Sequence, residues 1–189
     1  MTSDSPGPVA TPTTPAPTAC AVRTRTERLL AYRWLLLIAA GVFLLDRITK
    51  AWVCARLPYP TYGFPGHRVV IEGLFNLVNV GNTGAAWSLF SGRSTALALL
   101  AVATLIAIFA WRRQLGLQVR TVQIAFGLLC GGILGNLLDR VLYHHVIDFL
   151  DFHFGSYIYP TFNVADSGIF AGVVIYLLYS LRQPESPPE

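Results

Sequence analysis

Residues 94–111 run for 18 positions without a charge, closed off by Arg93 and Arg112. Residues 121–138 do the same after Arg120, again for 18 positions. As helices rising about 1.5 Å per residue, such runs are about 27 Å long, close to a bilayer hydrocarbon core of about 30 Å. A soluble domain would be about a quarter charged. This chain of 189 residues is 13% charged and 53% hydrophobic. The expectation is a membrane protein, mostly α, with a single domain's worth of chain.

Two further spans flank these. Residues 33–54 carry an apolar run that continues through Asp46, Arg47 and Lys50, and residues 160–181 follow Pro160. Four transmembrane helices over 33–54, 94–111, 121–138 and 160–181 make one unit at 23–182. Residues 1–22 are Pro/Thr-rich with few large apolar side chains, which predicts a disordered tail, and 183–189 form a short polar tail. Gly127, Gly131 and Gly135 recur every four positions, as do Gly168 and Gly172. Such small-residue stripes let helices pack closely. Residues 68–79 hold β-branched and aromatic residues in short runs, which predicts strands and a small extramembrane platform.

The net charge of +4 comes from Arg and Lys placed beside apolar runs. That is a topology signal rather than a nucleic-acid surface. Arg23, Arg25 and Arg28 precede the first span and Arg33 opens it, Arg112, Arg113 and Arg120 flank the 111–120 loop, and Arg182 follows the last. Both termini are therefore expected in the cytoplasm, with 55–92 and 141–159 outside. Cys20, Cys54 and Cys130 show no disulfide or metal spacing, and the latter two read as small packing residues.

This topology gathers polar residues at the outer leaflet: Asp46 and Lys50, Asn82, Asn136, Asp139 and Arg140, Asp148, and Asn163 and Asp166. Asp46 and Lys50 are four apart and share a helix face. Asp139 and Arg140 are expected to pair at the end of the third helix. Ionisable groups held at a bundle mouth are costly, so they mark candidate function. Two Asp brought within reach would share one proton, one serving as general base and the other as general acid. Asp148 and Asp166 are the candidate pair. A His/Asp metallopeptidase is an alternative, because His144, His145, Asp148, Asp151 and His153 fall close together, although H-E-x-x-H is absent. A non-enzymatic lipid or peptide carrier is another.

Five segments carry a family resemblance: Asp46-Arg47-Ile48-Thr49-Lys50, Asn82-Thr83-Gly84-Ala85-Ala86-Trp87, residues 131–140 ending in Asn136-Leu137-Leu138-Asp139-Arg140, Val146-Ile147-Asp148-Phe149, and Phe162-Asn163-Val164-Ala165-Asp166. In that order, over about residues 30–181, the chain resembles bacterial lipoprotein signal peptidase (signal peptidase II), a family of intramembrane aspartic peptidases. The resemblance implies an enzyme of the cytoplasmic membrane. It would remove the signal peptide from diacylglyceryl-modified prolipoproteins, cutting just before the lipidated cysteine at the outer face. It implies Asp148 and Asp166 as catalytic, and Asp46, Lys50, Asn82, Gly84, Asn136, Asp139, Arg140 and Asn163 as site-shaping. It implies no metal or cofactor, membrane lipid around the bundle, and inhibition by globomycin-type cyclic peptides. Trp87 stands where the family usually has Phe, and His144 and His145 make their connection more basic than is common.

Overall fold

The computed structural model describes residues 30–61, 66–85 and 89–183. The expected 1–22 tail, Trp87 and all but the first residue of 183–189 lie outside them. The chain is mostly helical with a small antiparallel sheet. In order, its elements are α1 (Arg33–Arg56), β1 (Arg68–Ile71), β2 (Phe75–Asn82), α2 (Ser94–Ala110), α3 (Arg120–Tyr143), β3 (Val146–Phe154), β4 (Tyr157–Ile158) and α4 (Val164–Leu181). By length and composition α3 and α4 are able to cross a membrane. α2 is apolar over its 17 residues, and α1 runs for 24 from Arg33 with its other charges, Asp46, Arg47, Lys50 and Arg56, in the second half.

The axis of the bundle is α3, which packs most extensively on α4 and α1 and less on α2. Its glycines set the approach. A Cβ on Gly131 would lie 2.6 Å from the Ala39 carbonyl oxygen of α1, and one on Gly132 would run into the Ala165 carbonyl of α4. Gly127, Gly131 and Gly135 all face α1, so the stripe seen in the sequence is a helix–helix seam. The outward faces are apolar and bare: Phe109 of α2 is 69% exposed and Phe170 of α4 is 72% exposed. Water penalises such a surface, whereas lipid matches it.

Two helix ends differ from expectation. α3 runs on past residue 138 to Tyr143, because its polar last turns are paired inside the protein rather than solvated. It stops where His144 takes a left-handed conformation, φ 60°. α4 starts at Val164 rather than after Pro160. Phe162 is still extended and bridges Leu150 of β3, and Asn163 then caps the helix.

The sheet order is β1-β2-β3-β4. β1 and β2 occupy the region expected to hold strands. β3 and β4 were not expected, since 141–159 reads as a plain connection. Phe75 and Phe152 face each other across β2 and β3 and stack at 4.5 Å between ring centroids. The same pairing sets Val80 opposite Asp148 and Asn82 opposite Val146. Beneath it, Phe149 packs on Val53 and Leu57. The sheet is thereby fixed over the polar end of α1, at the C-terminal end of α3 and the N-terminal end of α4.

Candidate active site

The polar end of the bundle holds two pairs of carboxylates in different company. Asp46 and Asp139, both fully buried, are each bound directly to cations. Lys50 Nζ lies 3.0 Å from Asp46 Oδ1 and 2.7 Å from Asp139 Oδ2, and donates to Asn136 Oδ1 at 3.0 Å. An ammonium has three N–H groups, so these three partners saturate it. Arg47 closes the other side, 2.6 Å from Asp46 Oδ2 and 2.7 Å from Asp139 Oδ1. Two carboxylates against two cations leave this cluster neutral. It braces four elements, α1, α3, α4 and β3, because Asp46 Oδ1 also accepts from Ala165 N of α4 at 3.1 Å and Asp139 Oδ2 from Ile147 N of β3 at 3.2 Å.

Asp148 and Asp166 are held by neutral donors. Asp148 Oδ1 accepts from Asn163 Nδ2 at 2.7 Å and its Oδ2 from Asn82 Nδ2 at 3.0 Å. Asp166 Oδ1 accepts from Asn136 Nδ2 at 2.7 Å and its Oδ2 from the Asn163 backbone N–H at 3.2 Å. Asn163 therefore touches both carboxylates. It also begins α4: its Oδ1 accepts from Asp166 N at 3.0 Å, completing a reciprocal capping box. The cap that starts the helix is also what aims the carboxylate of its first turn.

Lysine fixes the orientation of Asn136. Lys50 can only donate, so Asn136 must turn its Oδ1 toward it, and its Nδ2 then faces Asp166. Lys50 thus reaches the carboxylate pair through one amide rather than by contact. Arg140 is also near both, close enough that its charge interacts with Asp148 and Asp166, yet its hydrogen bonds go to carbonyls: Gly84 O at 2.9 Å and Asn136 O at 3.3 Å. Gly84 N in turn donates to Asn82 Oδ1 at 2.9 Å, which turns the Nδ2 of Asn82 toward Asp148.

Burial pushes the Asp148 carboxyl up to about 7. The charge of Asp166 pushes the same way, while hydrogen bonds from Asn82 and Asn163 and the charge of Lys50 pull it down. With only amides in contact and the Asp166 charge nearby, the Asp148 carboxyl is poised to exchange a proton near neutral pH.

All ten residues picked out from the sequence converge here: Asp46, Lys50, Asn82, Gly84, Asn136, Asp139, Arg140, Asp148, Asn163 and Asp166. One expected pairing fails. Arg140 does not pair with Asp139. Neighbours on a helix point about 100° apart, and Asp139 faces α1, where Arg47 and Lys50 take it. Arg47 was missed as a site residue. The available signal was an Arg inside an apolar helix, which must find a buried partner. The His-rich stretch does not assemble. His153 Nε2 contacts Asp151 Oδ2 at 2.7 Å, while His145 stacks on Tyr59 at 5.5 Å. Among the described residues, no three His, Cys, Asp or Glu side chains gather so as to hold a metal ion. Cys130 is buried, as expected of a packing residue, and Cys54 is exposed.

Comparison with known proteins bears on this site. The family described as Signal peptidase (SPase) II matches residues 38–182. The lipoprotein signal peptidase of Nitratidesulfovibrio vulgaris (strain DP4) is 42% identical over 160 residues, covering 82% of this chain and 93% of its own length. That of Geobacillus kaustophilus (strain HTA426) is 35% identical over 150 residues, covering 79% and 92%. Among solved structures, a bacterial membrane enzyme determined by the in meso method at 2.3 Å superposes with a TM-score of 0.70 at 30% identity, covering 82% of this chain and 94% of that one.

Proposed function

This chain belongs to the signal peptidase II family, and from that premise we propose that it is an aspartic endopeptidase of the bacterial cytoplasmic membrane. It removes the signal peptide from diacylglyceryl-modified prolipoproteins by cutting just before the lipidated cysteine. The observation that carries the aspartic assignment is the contrast between the two carboxylate pairs. Asp46 and Asp139 are locked to Arg47 and Lys50. Asp148 and Asp166 have amide partners only, so they alone are free to exchange protons.

The reaction follows from one shared proton. The ionised carboxylate takes a proton from water, and the resulting hydroxyl attacks the scissile carbonyl carbon. The protonated carboxyl gives its proton to the carbonyl oxygen, forming a neutral gem-diol. The pair then takes a proton back from that diol and delivers one to the amide nitrogen as the C–N bond breaks. The signal peptide leaves as a carboxylic acid, the lipidated cysteine gains a free amine, and the pair again holds one proton. The two carboxylates titrate as a unit.

In this reading α1 to α4 are four membrane spans with both termini in the cytoplasm, and residues 23–182 form one peptidase unit. The sheet is a platform at the outer face that steadies the peptide. The acyl chains lie between the helices, so lipid binding energy positions the scissile bond. Globomycin-type cyclic peptides would occupy the same groove. The test is cleavage of a diacylglyceryl-modified preprolipoprotein by purified protein in detergent, read by mass. Wild type should cut in the presence of EDTA, and Asp166→Asn and Asp148→Asn should not. Loss of wild-type cleavage in EDTA would favour the metallopeptidase. Lipid binding by all three without cleavage would favour the carrier.

A further inference from the structure

At the end of the bundle away from Asp148 and Asp166, the start of α1 and the start of α3 border an open cavity of about 400 Å³. Its walls include Arg33, Trp34, Gln118, Arg120 and Gln123. We propose that this cavity binds the headgroup of an anionic glycerophospholipid, with the phosphodiester at the arginines and a headgroup hydroxyl toward Gln123. The proposal rests on the membrane-embedded reading above and not on the peptidase chemistry.

Three observations converge. The first is charge. Arg33 and Arg120 sit on either side of the site, and neither has a carboxylate within ion-pair distance among the described residues. They hold to the Trp34 ring instead, at 5.9 Å and 4.3 Å from guanidinium to centroid. Trp beside Arg is the usual company of lipid headgroups at an interface.

The second is backbone. Both α1 and α3 begin at this cavity, and neither start is capped by a side chain or has an acidic residue in its first turn. Two helix N-termini that lack a side-chain cap and a first-turn carboxylate favour an anion.

The third is Gln123, which is 4% exposed. Its Nε2 donates to Ala31 O at 2.8 Å, which fixes the amide, and its Oε1 has no donor among the described residues. A buried acceptor without a donor is costly. The phosphodiester of a lipid brings no N–H or O–H to satisfy it, so the donor must come from the rest of the headgroup. A glycerol headgroup does, whereas a choline headgroup does not. The chemistry selects phosphatidylglycerol over phosphatidylcholine, and competition by free phosphate, which carries an O–H of its own, is decided by experiment.

The experiment uses the full chain in detergent and native mass spectrometry with short-chain lipids. An equimolar mixture of phosphatidylglycerol and phosphatidylcholine is offered, with inorganic phosphate as competitor. The expected result is preferential retention of one phosphatidylglycerol, undiminished by millimolar phosphate. Arg33→Gln with Arg120→Gln should weaken it about 30-fold, each interfacial cation contributing about fivefold. Arg112→Gln with Arg113→Gln, at the same end but outside the cavity, should leave it unchanged. Equal weakening by both pairs would reduce the effect to general charge attraction and overturn the site. Displacement by phosphate would assign the cavity to free phosphate. Equal retention of phosphatidylcholine would mean another occupant, the first 29 residues of the chain included. Should the arginine pair fail to fold, the wild-type preference and the phosphate competition still decide.

Discussion

Asn163 Nδ2 donates to Asp148 Oδ1 at 2.7 Å, while the Oδ1 of the same side chain accepts from Asp166 N at 3.0 Å. One amide therefore does two separable things: it caps α4 and it orients a carboxylate on another element. Asn163→Ser keeps a capping oxygen and loses the amide donor. Its melting temperature should stay within a few degrees of wild type while cleavage falls by about 100-fold or more. Asn163→Ala loses the cap too, at about 1 kcal/mol, and should fall in both. Equal activity in Asn163→Ser and wild type would remove Asn163 from the site.

The Asp148 carboxyl, raised to about 7, bears on rate. If the pair works with one proton, that proton is lost as pH climbs past neutrality and the general acid goes with it. Cleavage measured as kcat/KM should therefore fall on the alkaline side of about pH 7. A flat profile from pH 6 to 9 would place the working proton elsewhere.

The same shift bears on stability, with the opposite sign to an ordinary paired Asp. The folded chain holds the proton that an unfolded Asp releases near pH 4, so stability is unpenalised below pH 4 and falls as pH rises toward 7. The loss is at most about 4 kcal/mol. Asp148→Asn removes the titration. Its melting temperature relative to wild type should climb steadily from pH 4 to pH 7, read by thermal unfolding in detergent. A gap independent of pH would contradict the burial argument.

How far the sequence reached can be judged residue by residue. The charge-free runs and the glycine stripe announced the bundle, because membrane length and small-residue periodicity are local properties. Asn163 and Asp166 at a spacing of three also spell a capping box, and their reading as inward-facing site residues left the helix start unnoticed at Val164. Residues 146–158 hid a hairpin behind their carboxylates and histidines. Phe152 and Phe154 alternate, Gly155 has a positive φ of 64°, and Tyr157–Ile158 returns, all of it strand grammar. The pairing of Asp148 with Asp166 was suggested by their shared level at the outer leaflet and singled out by family resemblance, not by their spacing. Spacing in the chain carries no information about a contact made by β3 folding back over α4. The partition of Asp139 to Arg47 and Lys50, rather than to its neighbour Arg140, needed the packing of α1 on α3.

Two glycines give a matched test of that packing. A Cβ on Gly135 would lie 2.6 Å from Asp46 Oδ2, whereas one on Gly41 would meet nothing within 4 Å. Gly135→Ala must displace Asp46, and should destabilise by about 1–3 kcal/mol. Gly41→Ala, inside α1, should stabilise by about 0.5–1 kcal/mol from helix propensity alone. Melting temperatures that move together would show that the seam is looser than drawn.

Arg47 offers the sharpest test of the neutral cluster. It lies 2.6 Å from Asp46 and 2.7 Å from Asp139, with its side chain 20% exposed. Arg47→Gln leaves two buried carboxylates facing Lys50 alone. Breaking a buried pair costs about 3–5 kcal/mol, and partial exposure of the guanidinium brings the expectation to about 2–3. Asp139→Asn alone leaves a surplus cation and should also destabilise. Combined, the two substitutions restore parity, one carboxylate on one ammonium. The double variant should therefore be more stable than the sum of the singles predicts, by about 1–3 kcal/mol of coupling. Arg47→Lys should not substitute, since an ammonium lacks the planar fork that spans two carboxylates. Additive losses in this cycle would mean that Arg47 and Asp139 stabilise the bundle independently, and the division into a locked pair and a free pair would lose its basis.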